Sequence, residues 1–183
     1  MDKLGIFNKA LSVYNIDPLT EDDLKDTEGR PEIQILELFL NSALEKAMRE
    51  RNWTFLETRL DLGEDKGAEG GYRHSYSLPE GLFRITRADG VYRVVGSRLL
   101  TNGRPEAYGI MQELPDSGVP EDFYTIVGFC LAYYSASKLS PGDTKAQLAL
   151  DMYQRTLSML IMNDVWDSMH EDREVADGIG SYV

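Results

Sequence analysis

The stretch from Arg51 to Thr86, RNWTFLETRLDLGEDKGAEGGYRHSYSLPEGLFRIT, decides the fold. Before it, apolar residues recur every three or four positions, as they do on one face of a helix. After it, they alternate or form short runs between turn residues, as they do in strands. Trp53 stands at the change from one period to the other. The pattern predicts a helical protein with a β region inserted into it.

Four segments outside this stretch have helical periodicity. They are Asp2–Asn15, Arg30–Arg51, a segment that opens at Glu121, and a segment from Asp143 or Thr144 to about Asp164. Pro31 suits the first turn of the second segment, where its missing N–H costs nothing. Ser140-Pro-Gly142 separates the last two segments and predicts a helical hairpin.

An acidic linker, Asp17–Gly29, joins the first two helical segments and carries six acids and one lysine. It is typical of a solvated loop, or of an electrostatic contact with a partner. Thr20-Glu-Asp-Asp23 resembles a capping box, which would allow one turn of helix at Thr20–Leu24.

The β region is predicted to hold six short strands. They are Phe55–Leu62, Tyr72–Leu78, Leu82–Ala88, Val91–Val95, one beginning at Leu99, and Glu106–Leu114. Asp89-Gly90 and Asn102-Gly103 are strong hairpin signals. Gly63–Gly71 lacks the spacing of a phosphate-binding loop, so we expect a flexible tip that is free to reach a partner.

The predicted fold class is therefore α+β. We expect a bundle of about four helices from residues 1–52 and 121–165, and a small antiparallel β-sheet or partial barrel inserted at 53–120. Residues 166–183 form an acidic C-terminal tail, which we expect to be mobile unless it is tied down. Trp166 would anchor this tail on its own core or on a neighbour.

Composition limits the function. The 183 residues carry a net charge of −12, divided as −5 over residues 1–50, −1 over 51–120 and −6 over 121–183. Such a chain is unsuited to wrapping a nucleic acid, which needs a cationic face. The single cysteine, Cys130, excludes an internal disulfide framework. No apolar run approaches the ~20 residues of a membrane span, and no signal peptide is evident, so we expect synthesis in the cytosol.

The sequence carries no recognisable catalytic motif. Its two histidines, His74 and His170, belong to no metal-binding spacing, and no nucleophile elbow, Walker loop or dinucleotide fingerprint is present. We expect no catalytic residue, no metal and no cofactor. An Asp/Glu pair beside the β-sheet, acting as a small hydrolase, is the alternative. DNA binding by the arginine-rich sheet is a third hypothesis, which the net charge disfavours.

Contact residues are a better prospect than catalytic ones. Trp53 either fills the corner between helix and sheet or is an exposed interface residue, since Trp is favoured at interfaces. Residues 51–120 are nearly neutral and their bases are almost all arginine, which is also enriched at interfaces. The candidate interface residues are Trp53, Arg59, Tyr72, Arg84, Arg87 and Trp166.

Three sequence features occur in a familiar order. A long helix ends in Arg51-Asn-Trp53-Thr-Phe55; then come Tyr72–Pro79 and Leu82–Ile85; then Pro120-Glu-Asp-Phe123 opens a helix. This order, with a closing helical hairpin, resembles the tail tubular protein A family of short-tailed bacteriophages, whose members are head-to-tail adaptors, also called connectors or gatekeepers. The resemblance covers most of residues 3–165 and leaves the acidic tail unexplained.

The resemblance implies a structural virion protein. Such a subunit would form a ring, typically of twelve copies, between the portal protein and the tail nozzle at the head-tail junction. The ring would lengthen the channel through which genomic DNA passes without specific binding. An acidic channel wall would repel phosphate, so DNA would meet few points of adhesion.

Overall fold

The computed structural model describes residues 2–25, 29–141 and 143–178, with the backbone alone for Asp143 and residues 167–178. The chain divides into two compact units. The helical unit comprises Met1–Arg51 and Val119–Val183, and the β unit comprises Asn52–Gly118. Helices and two small antiparallel sheets together confirm the predicted α+β class.

The helical unit is built around α4. Its helices are α1 (Lys3–Tyr14), α2 (Glu21–Lys25), α3 (Pro31–Arg49), α4 (Glu121–Leu139) and α5 (Asp143–Gly178). Helix α4 packs against α1, α3 and α5. It has buried residues on every side because it is surrounded, as expected of a helix that is apolar all round.

Local signals fix the helix ends close to the predicted positions. The Asp2 carboxylate accepts a hydrogen bond from the Gly5 N–H at 2.8 Å and caps α1. Asn15 ends that helix in the left-handed region, with φ 59°. Thr20 and Asp23 make the reciprocal bonds of a capping box at the start of α2.

Helix α5 differs from the prediction. The helix was expected to end near Asp164, before a separate tail at 166–183, but it continues to Gly178. No Pro or Gly lies between Asp164 and Gly178, so nothing in the backbone stops the helix there. The acidic composition suggested a tail, yet an acidic segment without a breaker can remain helical. Residues 179–183 lie outside the described residues.

The β unit contains two three-stranded antiparallel sheets. Sheet A has the order β1-β6-β3, and sheet B has the order β2-β5-β4. The strands are β1 (Glu57–Arg59), β2 (His74–Ser77), β3 (Leu82–Ala88), β4 (Tyr92–Val95), β5 (Arg98–Thr101) and β6 (Ala107–Met111). Their shared core contains Leu60, Tyr76, Leu99 and Ala107. The first strand is shorter than predicted because a 3-10 turn occupies Thr54–Leu56.

The two predicted hairpins are wrong. Asp89-Gly90 does not pair β3 with β4, and Asn102-Gly103 does not pair β5 with β6; instead, β3 pairs with β6 and β4 with β5. The two turns lie against each other, and a Cβ on Gly103 would overlap the Asp89 carbonyl oxygen. The Asp89 carboxylate also accepts the Arg104 N–H at 2.8 Å. These turns therefore carry the chain from one sheet to the other and back.

The glycine-rich loop is not a free tip. The Gly63 N–H donates to the Ser77 carbonyl at 2.9 Å, and the Lys66 N–H donates to the Ser75 carbonyl at 2.8 Å. The segment at 63–71 thus lies along β2 and covers its outer edge. The expectation of a projecting loop failed because the polar residues between the glycines bond back to the strand.

Candidate functional site

Trp53 is fully buried, so its assignment as an exposed interface residue is wrong. Its ring stacks on Phe55, with the ring centroids 5.4 Å apart. A large aromatic side chain contributes most to stability when it is removed from water, and this one is removed completely. Its role in the described structure is packing.

Two of the predicted arginines meet on one face of sheet A. Arg59 and Arg87 both lie opposite Tyr108, one on each neighbouring strand. The Arg87 guanidinium stands 3.9 Å from the centre of the Tyr108 ring and 3.2 Å from the Glu57 carboxylate. Glu57 also accepts a hydrogen bond from the Thr86 hydroxyl. This face is a ladder of charged and aromatic side chains of the kind that favours polar contacts.

Arg84 shares this face of sheet A, and the remaining predicted residues are dispersed. Arg84 is half-buried in β3, opposite Ile110. Tyr72 is half-buried in the segment before β2, where it pairs with Glu69. Trp166 belongs to the helical unit and is 62% exposed on α5. The register therefore places Arg59, Arg84 and Arg87 on one face of sheet A, while Tyr72 and Trp166 lie apart from them.

The most exposed apolar strand was not among the predicted sites. Val91, Tyr92, Val94 and Val95 are 69%, 36%, 45% and 47% exposed. We call these four residues with Arg93 the β4 edge. The sequence of this edge, Val-Tyr-Arg-Val-Val, does not alternate between apolar and polar residues. A strand with this sequence carries apolar side chains on both faces, and that pattern could have identified the β4 edge.

A second exposed apolar surface lies on α5. Met159, Met162 and Trp166 are each 62–63% exposed and recur at three- and four-residue spacing. Leu148, 43% exposed, continues the stripe toward the start of the helix. We call these four residues the α5 stripe. Between residues 154 and 166 the only exposed charge is that of Arg155, although the chain as a whole is strongly acidic.

Polar groups at the end of α3 hold α5 in place. The Tyr153 hydroxyl donates to the Glu50 carboxylate at 2.7 Å, and Lys46 pairs with the same carboxylate. Burial raises the pKa of Tyr153, and its bond to Glu50 raises it further. Arg51 lies 2.8 Å from Asp164, whose side chain is almost fully buried. The hydrogen bond from Tyr153 and the ion pairs with Lys46 and Arg51 stabilise the carboxylates of Glu50 and Asp164, which would otherwise be costly to bury.

A carboxylate–histidine pair closes the loop over β2. The Asp65 carboxylate lies 2.6 Å from His74 Nδ1 and accepts the N–H groups of Gly67 and Ser75. These hydrogen bonds, that of His74 first, lower the pKa of Asp65 to about 2. The Ser75 hydroxyl donates a hydrogen bond to the Glu69 carboxylate and not to Asp65. The group thus anchors a loop, and Asp65 stays ionised at neutral pH.

A groove of about 550 Å³ brings three carboxylates of the β unit to one side, those of Glu80, Glu113 and Asp116. It is the place where the alternative Asp/Glu hydrolase site would lie. Among the described residues, no group of three or more His, Cys, Asp or Glu side chains is arranged to hold a metal ion.

No known protein family has a model that matches this sequence, and no curated protein matches it. None of the helices in the described part of the chain combines the length and apolar character needed to cross a bilayer. A function must therefore be inferred from the exposed surfaces of the protein and from the order of motifs in its sequence.

Proposed function

We propose that the chain is a structural subunit of a phage virion, similar to the head-to-tail adaptors, and that copies of it form a ring between portal and tail. The observation that carries the proposal is the pair of separate apolar surfaces, the β4 edge and the α5 stripe. Apolar patches left in water mark interaction sites. A ring subunit must bury surface against both of its neighbours, so exposed apolar patches are expected on it.

The order of sequence motifs supports the same proposal. A helical unit interrupted by a β unit carries the RxWxF, YxxxYxLP and PxxF segments in an order that resembles the adaptor family. In the proposed particle, twelve copies would contact the portal protein on one side and the tail nozzle on the other. The net charge of −12 would let genomic DNA pass through the ring without specific binding. The protein would be made in the host cytoplasm and would reside at the head-tail junction.

The test is assembly with the portal. We expect the purified protein, mixed with the portal of the same phage, to give closed rings in electron micrographs. Met162→Glu should reduce ring yield, because it places a charge in the α5 stripe. Gln154→Glu adds the same charge to another exposed position of the helix and should leave the yield unchanged. A protein that stays monomeric in every mixture would overturn the proposal.

The alternative function is a small hydrolase that uses the groove of Glu80, Glu113 and Asp116. It is favoured only by the presence of these three acidic residues in the lining of one groove. Hydrolysis of ester, glycoside or peptide substrates that is lost in Glu113→Gln, together with a monomeric protein, would establish it in place of the adaptor.

A further inference from the structure

Each sheet of the β unit has an edge strand that is hydrogen-bonded to a neighbouring strand on one side only. Strand β4 pairs with β5, and the Asn102 N–H donates to the Val91 carbonyl at 3.2 Å. In an antiparallel ladder the bonding direction alternates from residue to residue. The odd-numbered residues of this strand therefore bond to β5, and the backbone groups of Tyr92 and Val94 point to the open edge.

Strand β1, which pairs with β6, has an open edge of the same kind. The Leu60 N–H donates to the Ala107 carbonyl at 2.9 Å, so the backbone groups of Glu57 and Arg59 point away from β6. The Glu57 N–H already donates to Thr54. The open edge of β1 therefore offers one acceptor at Glu57, and a donor and an acceptor at Arg59.

A groove of about 300 Å³ runs beside this edge. Its lining is mainly apolar and includes Phe55, Leu56, Ile110, Met111, Pro115 and the carboxylate-bearing Glu113. An extended chain that added to β1 would place alternate side chains in this groove, as in recognition by strand addition.

We propose that the β4 edge of one copy adds as an antiparallel strand to β1 of the next copy. This proposal deepens the ring proposed above and rests on it. In one antiparallel register, all four residues whose backbone groups point to the open edges are paired. Glu57 then lies opposite Val94, and Arg59 lies opposite Tyr92. Up to three backbone hydrogen bonds then form between the copies.

Side-chain chemistry fits this register. Thr58 then faces Arg93 and Leu56 faces Val95, on the side of the sheet that carries the groove. Val95, which is exposed in the single copy, then lies beside Leu56 of the apolar groove lining.

Pairing of β4 with a second β4 fits less well. The register that joins both Tyr92 and Val94 with their counterparts places Arg93 directly opposite Arg93 of the other copy, and like charges directly opposite each other destabilise a strand pair. Addition of β4 to β1 uses two different surfaces, so it repeats from copy to copy and can close a ring.

Disulfide trapping tests the pairing directly. In the proposed register Thr58 and Arg93 form a non-hydrogen-bonded pair, with Cα atoms about 4.5 Å apart, which a disulfide can bridge. We expect Thr58→Cys mixed with Arg93→Cys to give covalent dimers under mild oxidation, and neither variant alone to do so. Cys130 is buried and does not compete. Thr58→Cys mixed with Ser97→Cys is the matched control and should give none, because Ser97 lies in the turn beyond the end of β4 and not opposite Thr58.

A proline variant tests the same contact without a new thiol. Val94→Pro removes an N–H that points to the neighbour and leaves the bonds to β5 intact, a position where an edge strand tolerates proline. We expect it to fold with an unchanged circular dichroism spectrum and to lose at least tenfold in ring yield.

The outcomes separate the two proposals. Rings without cross-links in the mixture would overturn the strand pairing and leave the adaptor proposal standing. Cross-links without rings would support the pairing and overturn the ring. Dimers of Arg93→Cys alone would show that β4 meets β4, which overturns the pairing with β1.

Discussion

Helices α1 and α4 approach each other closely at Gly128, and we predict that Gly128→Ala destabilises the helical unit. A Cβ at this position would lie 2.7 Å from Lys9 Cβ, 2.9 Å from Lys9 Cγ and 3.1 Å from the Ile6 carbonyl oxygen. The Lys9 Cβ is fixed by its backbone and cannot rotate away, so α1 must shift. Overpacking of this kind costs about 1–3 kcal/mol.

A second effect opposes this cost, since alanine favours a helix over glycine by about 1 kcal/mol. The expected net loss in the free energy of unfolding is about 1 kcal/mol, and up to about 2 kcal/mol if α1 shifts little. For a chain of this size that corresponds to a fall in Tm of roughly 2–8 °C. Urea and thermal unfolding followed by the helical circular dichroism signal would measure it.

The matched control is Gly29→Ala. A Cβ there meets nothing within 4 Å, so we expect no loss of stability. The double variant Lys9→Gly with Gly128→Ala should lose less than the sum of the two single losses, because the clashing side chain is gone. A Gly128→Ala protein more stable than the wild type by about 1 kcal/mol, the full gain in helix propensity, would refute the close approach of α1 and α4.

Two further outcomes follow from hydrogen bonds in the structure. The pKa of Asp65 is lowered to about 2 in the folded state, so the loop anchor is complete above the ordinary carboxyl pKa and is lost as pH falls through about 2. The protection of the Gly67 and Ser75 amides from exchange, relative to the unfolded chain at the same pH, should fall between about pH 4 and pH 2. Asp65→Ala should already lack this protection at pH 6, and equal protection in the two proteins at pH 6 would contradict the anchor. Tyr153→Phe removes the hydrogen bond to the Glu50 carboxylate and should lower the free energy of unfolding in urea by about 1.5–3 kcal/mol. A change below about 0.5 kcal/mol, the size expected of a neutral surface substitution, would show that this hydrogen bond does not hold α5.

The helices were predictable because their signals are local. Asp2, Pro31 and the Thr20–Asp23 pair act within one turn of the helix ends that they fix. The end of α5 was missed because acidic composition was given more weight than the absence of Gly and Pro before Gly178. Local rules therefore succeeded at the helix ends that a capping side chain or a proline marks.

Strand positions were predictable, but strand pairing was not. Asp-Gly and Asn-Gly turns normally join paired neighbours, yet here Asp89-Gly90 and Asn102-Gly103 lie against each other and carry the chain between sheets. That arrangement depends on contacts between residues 12 to 15 positions apart, such as Thr101 with Asp89 and Arg104 with Asp89. Periodicity and turn composition contain no information on such contacts.

The candidate surface was only partly predictable for a related reason. Trp53 was proposed because of its residue type, and its complete burial depends on the tertiary fold. The β4 edge was available from its missing alternation, but exposure became evident only when β4 was seen to be the last strand of its sheet. Residue type predicts which side chains are able to form contacts, and topology decides which of them reach the surface.

The distribution of charge bears on which surfaces can meet another copy of the chain. Copies that each carry a net charge of −12 repel one another, so contact surfaces must be low in carboxylates or must pair them with bases. The α5 stripe meets the first condition, since Arg155 is the only exposed charge between residues 154 and 166. The β4 edge meets the second, because Arg93 is its only charge and Glu113 lies in the groove proposed to receive it. The exposed carboxylates of Asp17 and Glu21 add to this repulsion, so we expect them to lie away from any contact between copies.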